Sequence, residues 1–157
     1  MEKEKLLNHI APCSLLCYTC TAYAEGIICQ SANTLLHHLD GICEFNQIHN
    51  LSSVSNTKTL LNELEMYGAG LCSGCRNRTH HTCSIQGCFI LECTKEHFVD
   101  FCGECNEFPC TQTRGIFEDE VYQKWLNGNQ EIHDHGIEQY WNSHCKESHY
   151  NAYKRGI

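Results

Sequence analysis

The chain has 157 residues, 14 of them cysteine; it is 41% hydrophobic and 10% aromatic and carries a formal net charge of −8. One domain of this size has a thin margin of apolar burial over chain entropy, so cross-links through sulfur or metal would add to its stability. The acidic balance argues against nucleic acid, which needs a cationic footprint, and no apolar run approaches the roughly 18 residues of a membrane span.

The start, "MEKEKLLNHIAPC", mixes acids and bases and has no apolar stretch of signal-peptide length. A cytoplasmic location is therefore expected, where thiols stay reduced and bind metals rather than forming disulfides. The first feature in chain order is the loop 11–20, with Cys13, Cys17 and Cys20 at the spacing C-x3-C-x2-C. Enzymes that cleave S-adenosylmethionine to a radical share this spacing, but they need a long alternation of strands and helices that is missing here. Residues 21–39 read as a helix, with Leu35, Leu36 and Leu39 at helical spacing. A polar loop is expected over 49–56. Next comes a helix over 57–68, capped by Thr57, striped by Leu60, Leu61 and Leu64, and stopped at Gly68.

Residues 72–110 hold Cys72, Cys75, Cys83, Cys88, Cys93, Cys102, Cys105 and Cys110 among Gly74, Gly87, Gly103 and Pro109. The pattern predicts irregular loops wrapped around ions. Beyond it, 115–145 is helical again: Phe117, Val121, Tyr122 and Trp125 share a face, Gly128 interrupts, and Ile137, Tyr140 and Trp141 resume it. The acidic "FEDE" (117–120) reads as a solvated helix start, favourable to the helix dipole. Cys29, Cys43 and Cys145 read as small buried hydrophobes.

The fold class expected is mainly α: a small metal-stapled domain, 1–157, with helices packed around an irregular cysteine-rich zinc-binding centre. Its helical flanks are 21–68 and 115–145, and its metal loops 11–20 and 72–110. Two thiolates separated by two residues can point at one ion when the turn between them is tight. Gly74 and Gly103 supply that turn in Cys72–Cys75 and Cys102–Cys105. His80, His81 or His97 could complete a further shell, giving two or three Zn2+ ions. Zinc is favoured because thiolate and imidazole ligands make a closed tetrahedral shell; an iron–sulfur cluster is the alternative cofactor.

Several stretches together, "IAPCSLLCYTCTAY", "CSGCR", "CFILEC" and "FCGECNEFPC", resemble a bacterial and archaeal family of cysteine-rich, zinc-binding proteins of unknown function (domain of unknown function 3795). The closing "NGNQEIHDHGIEQYW" is similar to that family's terminal helix. The resemblance implies metal binding, with no settled reaction, by Cys13, Cys17, Cys20, Cys72, Cys75, Cys88, Cys93, Cys102, Cys105 and Cys110. Cys83 is extra, and Ser14, Thr21 and Leu91 stand where glycine, proline and arginine are usual.

The function expected is a zinc-binding protein whose sites are mainly structural and present a surface to a protein partner. The first alternative is a metal-dependent enzyme acting on a small-molecule substrate, with an open three-ligand site at Cys13, Cys17 and Cys20. In that reading His133, His135, His144 and His149 could serve acid–base chemistry, whereas the plainer reading is a solvated helical face. The second alternative is an iron–sulfur redox protein. In the structural reading the Cys13, Cys17 and Cys20 site is closed by a ligand from the distant cluster, with Cys110 the first choice.

Overall fold

The computed structural model describes residues 2–51, 54–77, 87–151 and 154. Cys83, His80 and His81 lie outside the described residues. Among the described residues there are seven α-helices and no strand, so the mainly helical class holds. The only ladder-like pairings there are two isolated bridges, Ile10 with Leu16 and Tyr23 with Cys72.

The N-terminal segment, given no element by its sequence pattern, forms α1 (Lys3–His9) and buries Leu6 and His9. The helix expected over 21–39 begins later, as α2 (Ile27–His38). Residues 21–26 are instead turn and bridge, because the Cys72 N–H donates to Ala22 O at 2.8 Å and the Ala24 N–H to Cys72 O at 2.9 Å. Backbone paired to a distant segment in this way cannot also make helical bonds. A short α3 (Ile42–Ile48) follows, and α4 (Val54–Gly68) starts inside the expected loop and ends at the expected glycine. The leucine stripes are less buried than their spacing suggested: Leu35 and Leu60 are exposed, and Cys29, Ala32 and Leu64 make the inner face.

Within the cysteine-rich segment a helix, α5 (Ile90–Glu96), replaces part of the irregular loop expected. It closes in a Schellman pattern: Val99 N–H donates to Thr94 O at 3.0 Å and Phe98 N–H to Lys95 O at 3.2 Å. The left-handed position of that motif usually belongs to glycine, but here it is Phe98, at φ 55° and 95% exposed.

The C-terminal part is α6 (Asp119–His135) and α7 (Ile137–His144). The break expected at Gly128 falls instead at Gly136, whose φ of 81° ends α6. Gly128 runs through the helix because the N-terminal loop crosses there. A Cβ on it would lie 2.6 Å from Ser14 Oγ and 3.1 Å from the Tyr140 hydroxyl. Ser14 itself has φ 62°, in the region that favours glycine. It is held there by Tyr140, whose hydroxyl donates to Ser14 O at 2.8 Å, and by Asn129, whose Nδ2 donates to Ser14 Oγ at 3.1 Å.

Two apolar clusters make the core of this body. One joins Leu6, Ile10, Leu16, Phe101, Ile132, Tyr140 and Trp141. The other joins Ala11, Cys13, Leu15, Ile90, Phe117, Val121 and Trp125, and Cys17, Cys75, Cys88 and Cys102 pack against it. The first part of the aromatic face read from 117–141, Phe117 to Trp125, is thus the wall on which these thiols lie, and Tyr140 and Trp141 belong to the other cluster.

Candidate metal centre

The parallel bridge between Tyr23 and Cys72 sets the N-terminal loop beside the first C-x2-C pair. Across it the thiols of Cys17 and Cys75 hydrogen-bond to each other; that bond and then burial push the Cys17 thiol well above its usual range, and Cys13 and Cys20 act on it too. The Gly74 N–H reaches Cys72 Sγ at 3.4 Å, the backbone-to-sulfur bond that a tight C-x2-C turn supplies. Gly74 has φ 89°, and a Cβ there would lie 3.1 Å from the Tyr23 ring, so both conformation and space call for glycine. Cys17 thus has the sulfurs of Cys75, Cys13 and Cys20 as neighbours, and the bridge at Cys72 brings the other member of the Cys72–Cys75 pair alongside the loop.

A second group of thiols surrounds a cleft of about 260 Å³ lined by Cys93, Cys102, Cys105 and Cys110, with His97, Phe108 and three glutamates on its walls. Cys93 comes from α5, Cys102 and Cys105 flank a single 3-10 turn, and Cys110 begins the next. Cys105 Sγ stands 3.6 Å from His97 Nδ1. The turn is fixed from two sides: the Gly103 N–H donates to Asn129 Oδ1 at 2.9 Å, and Glu104 accepts from the N–H groups of Asp100 and Phe101. Cys13 lies between the groups, its buried thiol raised by desolvation and by the nearby sulfurs of Cys75, Cys102 and Cys88. Cys110, the partner first expected for the N-terminal loop, stands with Cys93 and Cys102; the distant thiol bonded to that loop is Cys75.

Two residues matter here that the spacing patterns passed over as site residues. Arg76, next to Cys75, sends its guanidinium inward to Leu7 O at 2.7 Å, Ile10 O at 2.6 Å and Asp100 O. It stacks 5.0 Å over the Phe101 ring. Burial lowers its pKa, while Asp100 and the thiols of Cys17, Cys75 and Cys13 oppose that shift. A guanidinium stays charged even so, and it places a fixed positive charge beside sulfurs that would be negative when ligating. Its signal in the sequence, one arginine after a C-x2-C, is too short to separate from a basic surface run. Trp125 was read only as a core aromatic. Its indole N–H is fully buried and faces the Cys102 sulfur too loosely to count as a full hydrogen bond. Burial pushes the neighbouring Cys102 thiol up to about 12, and the Trp125 N–H works the other way.

The acid–base histidines are engaged elsewhere. His144 lines a second cleft, of about 390 Å³, where its Nε2 meets Glu131 at 2.7 Å and its Nδ1 meets Glu147 at 3.0 Å. Burial lowers its pKa, but the two carboxylates outweigh this and raise it. His149 Nδ1 lies 2.9 Å from Leu16 O, tying the C-terminal segment to the N-terminal loop. Of the four, His133 and His135 are exposed on the last turn of α6, the solvated helical face, and His133 pairs with the adjacent Asp134. Cys29 is buried as expected and donates to Gly68 O at 3.3 Å; Cys43 and Cys145 are only half-buried.

Among the described residues no three Cys, His, Asp or Glu side chains converge closely enough to grip an ion as they stand. The donor set nonetheless suits a soft divalent ion: among the described residues it has thiols gathered from four chain segments, an imidazole beside a sulfur, and no competing disulfide. The Trp125 N–H points the same way, since a thiolate at Cys102 would be the acceptor that a neutral thiol supplies only weakly.

Fold and centre together define a cysteine-rich, mainly helical protein built on two groups of thiols. The chain belongs to a family of proteins of unknown function (DUF3795), whose model matches residues 9–115, a span that takes in both groups. No curated protein and no solved structure matches the chain.

Proposed function

We propose that the chain is a zinc-binding protein in which the metal is mainly structural, holding the N-terminal loop and the 72–110 segment together. Cys17, Cys20, Cys72 and Cys75 would hold one ion, and Cys93, Cys102, Cys105 and Cys110, with His97 at hand, a second. Cys13 and Cys88 stand close enough to these groups to act as reserve donors. The observation that carries the reading is the juxtaposition of Cys17 with Cys75, sulfur to sulfur, from segments far apart in sequence. Burying thiols together gains little as hydrophobic packing alone, while a structural zinc contributes on the order of 10 kcal/mol of folding free energy at neutral pH.

The protein-partner reading draws support from the helical arm α2–α4. It exposes Leu35, Phe45, Ile48, Leu51 and Leu60 to solvent, the kind of apolar surface that marks interaction sites. An iron–sulfur group has the same ligand chemistry, and the visible spectrum separates the two. Elemental analysis of the purified chain should find about two equivalents of zinc and no charge-transfer colour. Less than one equivalent of any transition metal in folded protein would end the proposal.

A further inference from the structure

We propose that the two thiol groups differ in exchange. The cleft of Cys93, Cys102, Cys105, Cys110 and His97 takes up and releases zinc readily, whereas the group of Cys17, Cys20, Cys72 and Cys75 holds its ion as a fixed staple. The inference rests on the zinc reading above and goes beyond it by assigning a labile site. An ion leaves a protein quickly only where an incoming ligand can reach its shell and where one donor can depart without unfolding the backbone.

Both conditions meet at the cleft. It opens to solvent, and its walls carry Glu92, Glu96 and Glu107, whose charge raises the local concentration of cations. His97 is exposed and sits at the C-terminal cap of α5, 3.6 Å from Cys105 Sγ. It can swing toward or away from the sulfurs while α5 stays in place. Four thiols and one imidazole also exceed the four positions of a tetrahedral zinc, so one donor is always spare.

The second condition fails at the first group. Cys17 and Cys75 lie against the apolar cluster of Ala11, Leu15 and Trp125. Cys72 is pinned on both sides by backbone bonds to Ala22 and Ala24. Arg76, anchored on three carbonyls, fixes the residue after Cys75. Release there requires the backbone to part.

The test uses the full chain loaded with zinc and mixed with excess chromogenic chelator, with zinc transfer followed over time. Two phases are expected, separated by about tenfold or more in rate, the scale on which outer partners tune metal affinity. Cys105→Ser, which takes away the spare donor and the sulfur beside His97, should change the rate of the fast phase and leave the slow one. His97→Ala, an exposed change that leaves every thiol in place but removes the mobile donor, should slow the fast phase and leave the slow one unchanged. Cys72→Ser should spare the fast phase. A single phase, or a fast phase insensitive to both His97→Ala and Cys105→Ser, would overturn the assignment while leaving zinc binding intact. Absence of bound zinc would overturn the zinc reading itself.

Discussion

The helical arm, α2–α4, and the thiol-bearing body are held together in different ways. In the arm, α2 packs along α4 and α3 leans on α4, with Cys29, Ala32 and Leu64 as the buried apolar contacts and Ile48 75% exposed. In the body, large aromatics lie fully buried against sulfurs, and polar anchors such as Asn129 and Arg76 cross between distant segments. The arm illustrates local cohesion, in which neighbouring helices shield a narrow stripe. The body is non-local, joining residues near 13, 75, 102 and 125, so its contacts have to offset the loop-closure entropy of long connections as well as local ordering.

On the zinc reading proposed above, removing the metal is the most severe way to break this comparison. A strong chelator should cost on the order of 10 kcal/mol per structural zinc, lowering the melting temperature by tens of degrees. Far-ultraviolet circular dichroism should then keep the share of helix belonging to α2–α4 after the near-ultraviolet tryptophan signal is lost. An unchanged melt, with the metal shown to be gone, contradicts the picture of a metal-held body.

Substitution sharpens it next. Trp125→Ala removes a side chain that is 0% exposed and touches Phe108, Phe117 and Tyr122, and should cost about 3–5 kcal/mol in denaturant unfolding. Leu60→Ala, at a position 50% exposed on the arm, should stay within about 0.5 kcal/mol. Comparable costs at the two sites would erase the distinction.

A smaller change runs in the opposite direction. Phe98 occupies a left-handed position and is almost wholly in solvent, so Phe98→Gly should stabilise the body by about 1 kcal/mol, read as a higher denaturant midpoint. A loss of stability would mean that the ring makes a contact worth more than the backbone strain.

The smallest effect concerns pH. His144, between Glu131 and Glu147, has its pKa raised above 6.5 in the folded chain. Its contribution is therefore complete below pH 6.5 and is lost as pH rises through the higher folded value. His144→Ala should cost on the order of 0.5 kcal/mol at pH 5.5 and less at pH 8.5. An equal cost at both would show that the imidazole acts through packing on Tyr140 rather than through charge.

The sequence by itself determined the parts whose signals are short-range. Helical spacing placed the aromatic face of Phe117, Val121, Trp125, Tyr140 and Trp141, Gly68 marked the end of α4, and the glycine in each C-x2-C marked a tight turn. These depend on a residue and its neighbours within a turn or two, where local spacing carries the information. Only the tertiary structure decided the rest. It paired Cys17 with Cys75 and set Cys110 beside Cys93, a choice that spacing leaves open because every thiol has the same chemistry. It turned Gly128 from a helix break into a crossing point for Ser14, since the reason for that glycine lies in another segment. It also sent Arg76 inward to carbonyls of α1 and the 100–101 turn, because a buried cation is tolerated only where distant chain brings acceptors and nearby sulfurs to meet it.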